Sequence, residues 1–396
     1  MHCNASKTYK PIQRHISTSM VRFIHSNDWQ LGMAPYFLDA DAQARFAKSR
    51  FDAIRRIGQL AEFKDASFVV VAGDVFESNQ LDPRTVARAL EAMRSVPVPI
   101  CLLPGNHDPL DPASVYHSKA FGDGKPGKVM VLSSTTPLEV VEGCEIVGVP
   151  WSSKRPLVDL VHAACKDLSE KSGVVRIVVG HGVVDVNSPD KANPALICLE
   201  HAESFLRENR VHYIALGDHH SVLSVGDSGR IWYAGTPEPT DFGEQKPGYV
   251  LLVDVDGSGC KVEEIPIAEW RFVAKHFDFA GDDDLVLLES FLDENPKKEE
   301  TVLRLSFKGT VSLESRVRLD EILDRYRNLY ATIQVREGGD ELVTLPSDTD
   351  LERLNVTGWA RVTLDNLRAM ASLPQADQTA QDALTLMYRL ARGRKE

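Results

Sequence analysis

The chain has 396 residues, too long for one compact domain at roughly 150 residues per domain, and its 43% hydrophobic and 26% charged content with 26 Gly and 21 Pro excludes collagen-like, coiled-coil and wholly disordered architectures. No run approaches the ~20 apolar residues that cross a bilayer. With 57 Asp and Glu against 45 Lys and Arg the net charge is −12, so nucleic acid is not held by bulk electrostatics and would need local basic patches or metal ions.

Residues 1–19 carry Lys7, Lys10 and Arg14, no acid and no apolar core, which argues against a secretory signal. A transit peptide fits the composition, but the simpler expectation is a disordered extension with the natural start at Met20. From Val21 the pattern is strand, loop, helix, repeated. VRFIHSND reads as a strand with a polar end, and Ala42 to Phe63 as a helix with Phe46, Ile54, Ile57 and Leu60 on one face. SFVVVAGD is a β-branched run suited to a strand buried on both faces. Thr85 to Met93 is helical behind Pro83. PICLLPGNHD, VVRIVVGH and VHYIALGDHH repeat the strand with a polar tip. Such alternation specifies a layered α/β domain.

After His220, IWYAGT, GYVLLVDV and KVEEIPI read as short strands that extend the same core by antiparallel pairing. The stretch from Gly281 to Glu300 is acidic and polar, with Pro296, and the main boundary is expected around there or slightly earlier, near Trp270. The expected division is 20–270 for the first domain and 271–396 for a small α+β domain. In the latter TVLRLSFKG and YATIQVRE are strands, and VRLDEILDRYRNLY and the segment from Ala376 to Arg392 are helices. The last helix carries Leu384, Met387, Tyr388 and Ala391 at helical spacing. The six cysteines, Cys3, Cys101, Cys144, Cys165, Cys198 and Cys260, are scattered without a CxxC. That spacing argues against a zinc ribbon or disulfide framework and fits a reducing cytoplasm.

Chemistry-bearing residues fall at five strand ends, in the order Asp28-Trp29-Gln30, Gly73-Asp74, Gly105-Asn106-His107-Asp108, Gly180-His181 and Gly217-Asp218-His219-His220. Any one of these occurs by chance. The ordered set does not, because ligands collect at the carboxyl ends of α/β strands and oxygen and imidazole donors converging there build a metal site.

The set resembles the calcineurin-like metallophosphoesterase superfamily, whose motifs run D-x-H, G-D-x-x, G-N-H-D/E, G-H and G-H-x-H. Within it, FIHSNDWQLG, VVVAGDVFES, PICLLPGNHDP and AGTPEPTDFGEQKPGYVLLVDVD are similar to SbcD-like DNA repair exonucleases. The resemblance covers Val21 to Ile267; over the last domain it is architectural only. It implies a two-sheet β-sandwich flanked by helices, with a small C-terminal α+β cap. It also implies two metals. Asp28, Gln30, Asp74 and His220 would hold one, and Asp74, Asn106, His181 and Asp218 the other, with Asp74 bridging. His107 would be the catalytic histidine that protonates or steadies the reacting phosphate. Partners so implied are DNA, an SMC-like (SbcC-like) ATPase docked through C-terminal helices, and a second copy as homodimer.

The sequence departs from the family where Gln30 and Asp218 replace histidines. The donor set becomes harder and more negative, which favours manganese, or magnesium, over zinc. The expected function is a metal-dependent DNA exonuclease in repair. Two rivals stay open: a phosphatase or small-molecule phosphodiesterase, and a catalytically weakened subunit that binds DNA ends or the ATPase, which Gln30 keeps alive.

Other residues carry competing readings. His25, inside the first strand, is expected to be structural; His219 to point away from the ligands; His117 and His201 to lie on the surface. Trp29 is expected to pack rather than stack a base. Glu77 fits a contact to substrate or to the residues that support the site, or a solvated loop, equally; Trp151 with Lys154 and Arg155, and Arg84 with Arg88, fit a substrate contact or a solvated loop equally.

Overall fold

The computed structural model describes residues 20–280, 283–335, 341–344, 356–371 and 378–392. The expectation for residues 1–19 therefore lies outside the described residues. The chain divides into two compact units. One holds the segments up to Met33, Ala47–Pro239 and Glu244–Ala268; the other holds Ala34–Phe46, Thr240–Gly243 and Glu269–Glu396.

The first unit contains two six-stranded sheets. β1 (Val21–Ser26), β2 (Val69–Val71), β3 (Ile100–Leu102) and β4 (Val129–Val131) lie side by side and parallel. β5 (Leu138–Val141), β6 (Cys144–Gly148), β7 (Val175–His181), β8 (Tyr213–Gly217), β9 (Leu223–Val225) and β10 (Ile231–Tyr233) build the second sheet, in the order β5-β6-β7-β8-β10-β9. The chain then returns to the first sheet through β11 (Tyr249–Val255), antiparallel to β1, and β12 (Cys260–Pro266) at the edge. The antiparallel expectation holds for β11 and β12, and for IWYAGT on one side only: β10 runs antiparallel to β9 but parallel to β8.

The buried faces of the two sheets share one core, in which Phe23, Val70, Cys101, Leu251 and Val253 meet Ile146, Ile177, Val179, Tyr213 and Ala215. A second core seals the outer face of the first sheet. There Ile54 and Ile57 of α1 (Ala40–Phe63) and Val86, Leu90 and Met93 of α2 (Pro83–Arg94) pack on Ile24, Val69 and Val71. Asp82 caps α2 by accepting from the Arg84 and Thr85 N–H groups, and Pro83 supplies the preset first turn. α3 (Lys119–Gly124) adds Phe121 to this core. α4 (Leu160–Cys165) and α5 (Leu199–Arg207) cover the other sheet with Val161, Phe205 and Leu206. This is a layered α/β domain, as the strand and helix pattern predicted, with the two helix-flanked sheets that the family resemblance implied.

The second unit has a four-stranded sheet in which β14 (Thr301–Val311) lies between β13 (Arg271–Phe279) and both β15 (Thr332–Val335) and β16 (Glu341–Thr344), all parallel to it. The acidic, polar stretch expected to mark the boundary contains a helix, α6 (Asp283–Glu294), whose Leu285, Leu288 and Leu292 are fully buried. α7 (Leu313–Arg327) packs beside it through Leu319, Ile322 and Leu323. α8 (Trp359–Ala371) and α9 (Gln378–Arg392) close a smaller core with Leu364, Ala371, Ala380 and Leu384 against Leu313 and Val317 of α7. Leu384 and Met387 thus pack within their own unit; the side chains of Tyr388 and Ala391 lie outside the described residues. No helix among the described residues is long and apolar enough to cross a membrane.

Candidate metal centre

The chemistry-bearing tips lie at the carboxyl ends of β1, β2, β3, β7 and β8. Adjacent parallel strands bring the first three tips together. Asp28 N–H donates to the Gly73 carbonyl at 3.1 Å, and Gln30 N–H to the Asp74 carbonyl at 2.9 Å. The Asp74 carboxylate in turn accepts the His107 backbone N–H at 2.9 Å. The facing sheet adds His181, whose Nε2 stands 3.4 Å from Asp74 Oδ1, 3.7 Å from Asp218 Oδ1 and 2.6 Å from Asn106 Oδ1. Donor atoms of Asp28, Asp74 and His181 fall within 4.8 Å of one another, and all three residues are buried. Gln30 reaches His220, with 3.1 Å between the two Nε2 atoms. The seven residues expected to hold metal thus occupy one neighbourhood, with His107 at its half-exposed rim.

Backbone strain aims these side chains. Asp28, Gln30, Asp74 and Asp218 have φ of 49°, 43°, 50° and 91°, the left-handed region that non-glycine residues rarely enter. Such strain persists only where the surroundings impose it. Two glycines are required by close approach. A Cβ on Gly105 would strike the Asp74 carboxylate, and one on Gly217 would strike the Ala72 carbonyl oxygen. The second obstacle is backbone and cannot swing aside. Gly217→Ala is therefore expected to cost about 2 kcal/mol of stability, read as a fall in denaturant midpoint at unchanged slope.

Burial and crowded carboxylates set the electrostatics. Burial, with Asp74 and Asp218 beside it, pushes the Asp28 carboxyl up to about 6. Burial disfavours a charged His181, but the Asp74, Asp28 and Asp218 carboxylates outweigh it and raise its pKa well above the ordinary value. The His181 Nδ1–H donates to the Ala72 carbonyl at 2.9 Å, which turns Nε2 toward the carboxylates. Hard oxygen donors with imidazoles around an uncompensated negative charge fit a divalent cation. Glu77 raises His107 to about 9, and its carbonyl holds His107 Nδ1 at 3.0 Å. Glu77 thus grips the rim histidine, the supporting role that the sequence left open to it beside a substrate contact or a solvated loop.

Sequence reasoning missed several supports. Asp108, fully buried, accepts from Gly105 N–H at 2.8 Å, Phe76 N–H at 3.0 Å and the Tyr116 hydroxyl at 2.6 Å, tying the GNHD turn to the GDVF turn. Its place inside the motif was the available signal. Asn27 donates to Asp28 Oδ2, and Glu244 Oε1 lies 2.8 Å from His220 Nδ1. Nothing local marks Glu244.

His25 is buried between Tyr213 and the Leu216 carbonyl, and burial pushes its pKa down to about 3, a structural role as expected. Trp29 is 1% exposed and donates to Ser26 Oγ, so it packs. His219 is exposed, with its ring edge-on to Tyr233. His117, His201, Arg84, Arg88, Lys154 and Arg155 are exposed. Trp151 is buried, and its indole N–H donates to the His181 carbonyl at 2.7 Å.

Parts of the chain are similar to known proteins. A stretch of 101 residues is 35% identical to the DNA double-strand break repair protein Mre11 of Archaeoglobus fulgidus, covering 24% of this chain and 22% of that protein. The chain thus spans about a fifth of that relative's length. The purple acid phosphatase PPD1 of yellow lupin (Lupinus luteus) matches 64% of this chain and 52% of its own, at 13% identity and a TM-score of 0.39. A dimetal phosphatase from Danio rerio matches 62% of this chain and 99% of its own, at 11% identity and a TM-score of 0.35. Residues 21–253, more than half of the chain, match the calcineurin-like phosphoesterase family, and the chain belongs to that family of metal-dependent phosphoester hydrolases.

Proposed function

We propose that the chain is a DNA exonuclease acting in repair, hydrolysing phosphodiester bonds at a two-metal centre. The observation that carries the reading is the convergence of Asp28, Asp74 and His181 at the strand ends of a chain with local similarity to a double-strand break repair protein. Asp28, Gln30, Asp74 and His220 would hold one ion, and Asp74, Asn106, His181 and Asp218 the other, with manganese favoured by the oxygen-rich donor set. When bound, the ions supply the charge that activates water and steadies the phosphate.

The chain's own residues do the rest. Asp74 offers two carboxylate oxygens between the two groups of ligands. Asn106 contributes a neutral oxygen, so an anionic phosphate meets less repulsion. His107, with Nδ1 held by Glu77, carries a proton at neutral pH and presents Nε2 for the departing oxygen. DNA is the substrate, in a reducing cytoplasm. The second unit acts as the cap, with an SMC-like ATPase and a second copy of the chain as partners.

The test is release of nucleotides from linear double- and single-stranded DNA with manganese, beside a generic phosphodiester. Wild type is expected to degrade DNA, and His107→Ala to lose ~10²–10⁴-fold in rate with metal still bound. Cleavage of the small ester alone would transfer the assignment to a small-molecule phosphodiesterase.

A further inference from the structure

We infer that the two metal positions are unequal, the one at Gln30 and His220 binding a divalent cation at least ~10-fold more weakly than the one at Asp74 and His181. The inference rests on the two-metal reading and adds an order of filling to it.

The argument is one of donors and acceptors. His220 Nδ1 lies 2.8 Å from Glu244 Oε1. A carboxylate only accepts, so Nδ1 carries the hydrogen, and the neutral ring, the form that binds a metal, has its lone pair on Nε2. Gln30 Nε2 lies 3.1 Å from that atom. The amide therefore donates into the lone pair a cation would need. Gln30 is 4% exposed, and its backbone is pinned at φ 43° by the 2.9 Å hydrogen bond to the Asp74 carbonyl. It has little room to swing away. A cation arriving here must first break the Gln30–His220 bond and then accept a neutral amide oxygen where the family has an imidazole.

The other position has the opposite character. His181 Nε2 faces Asn106 Oδ1 at 2.6 Å, Asp74 Oδ1 at 3.4 Å and Asp218 Oδ1 at 3.7 Å. All three neighbours are oxygen acceptors that repel one another. A cation satisfies each of them in place of the ring hydrogen on His181 Nε2, with no amide donor to move aside and with the Asp74 and Asp218 carboxylates already gathered around it. Asp218, the other departure from the family, adds charge here, whereas Gln30 adds none. Both departures push affinity toward the same position.

The experiment is calorimetric titration of manganese into the metal-stripped full chain. Expected are one tight equivalent and a second at least ~10-fold weaker. Gln30→His should bring the second close to the first. Glu244→Gln, whose amide can donate to His220 Nδ1 and shift the ring hydrogen to Nε2, should weaken the second equivalent and leave the first unchanged. Two equal tight equivalents in the wild type would overturn the inference while leaving the two-metal reading intact. A second equivalent unmoved by both variants, each shown folded by circular dichroism, would overturn it as well. No manganese uptake by the wild type would remove the two-metal reading, and the inference with it.

Discussion

Replacing Asp74 with asparagine is expected to lower phosphoester hydrolysis by ~10³-fold or more and to abolish retention of added divalent metal, with little change in fold. The magnitude follows from several kcal/mol of transition-state stabilisation at ~1.4 kcal/mol per tenfold. Asp74 is where three turns meet. Its Oδ1 accepts the His107 N–H at 2.9 Å and stands 3.4 Å from His181 Nε2, and its Oδ2 stands 3.9 Å from His107 Nε2. Asparagine keeps the shape and one oxygen but removes the charge and the second acceptor. In the metal-free protein two effects oppose each other. One negative charge fewer relieves the repulsion that, with burial, holds Asp28 up at about 6. Burial disfavours the Asp74 charge, but His181 and His107 outweigh it and hold the carboxyl below its ordinary value, so removing the charge also removes those attractions. The expected signature is a melting temperature in chelator at or below wild type, together with loss of the rise expected of the wild type on adding manganese. A manganese-dependent rate near wild type would show that Asp74 does not hold the metals.

Asp74 was visible in the sequence because its signal is local: a buried β-branched strand, a turn glycine, a carboxylate. The same holds for Asp28, Asn106, His181, Asp218 and His220, each within a few residues of a strand end. Their convergence could be argued because parallel strands place all such tips on one side. What the sequence hid is tertiary. Glu244 reaches His220 across 24 residues from a segment without regular pattern. The left-handed backbone at Gln30 depends on a partner carbonyl from another strand tip. α6 was hidden by composition: Val286 and Leu287 are exposed among acids, which blurs the stripe that Leu285, Leu288 and Leu292 form. The direction of β10 is set by its neighbours β8 and β9, and its three residues encode none of that.

The PEPT segment, part of the stretch AGTPEPTDFGEQKPGYVLLVDVD that is similar to SbcD-like exonucleases, supports the metal centre physically. Glu238 is fully buried, and its Oε1 accepts from Ser49 Oγ at 2.6 Å and from the Arg56 guanidinium at 2.5 Å. The Glu238 carbonyl accepts from Thr236 Oγ1 at 2.7 Å, and the same hydroxyl lies 2.9 Å from the Asp28 carbonyl. Arg50 adds a bond of 2.9 Å to the Trp29 carbonyl. Helix α1 thereby fixes this segment against the turn that carries Asp28 and Gln30. Removing one partner of a buried ion pair costs ~3–5 kcal/mol; Arg56 is 22% exposed and can recruit water, so the lower end applies to Glu238→Ala. About 3 kcal/mol corresponds to a fall of ~6–12 °C in the melting temperature of a domain this size. Glu238→Gln should recover part of that fall, because it restores an acceptor for Ser49 without the charge. If the network also holds Asp28 in place, the rate at saturating manganese should fall in Glu238→Ala at temperatures where the variant is fully folded. A melting temperature within 2 °C of wild type would mean that apolar packing of α1, and not this carboxylate, anchors the first metal turn.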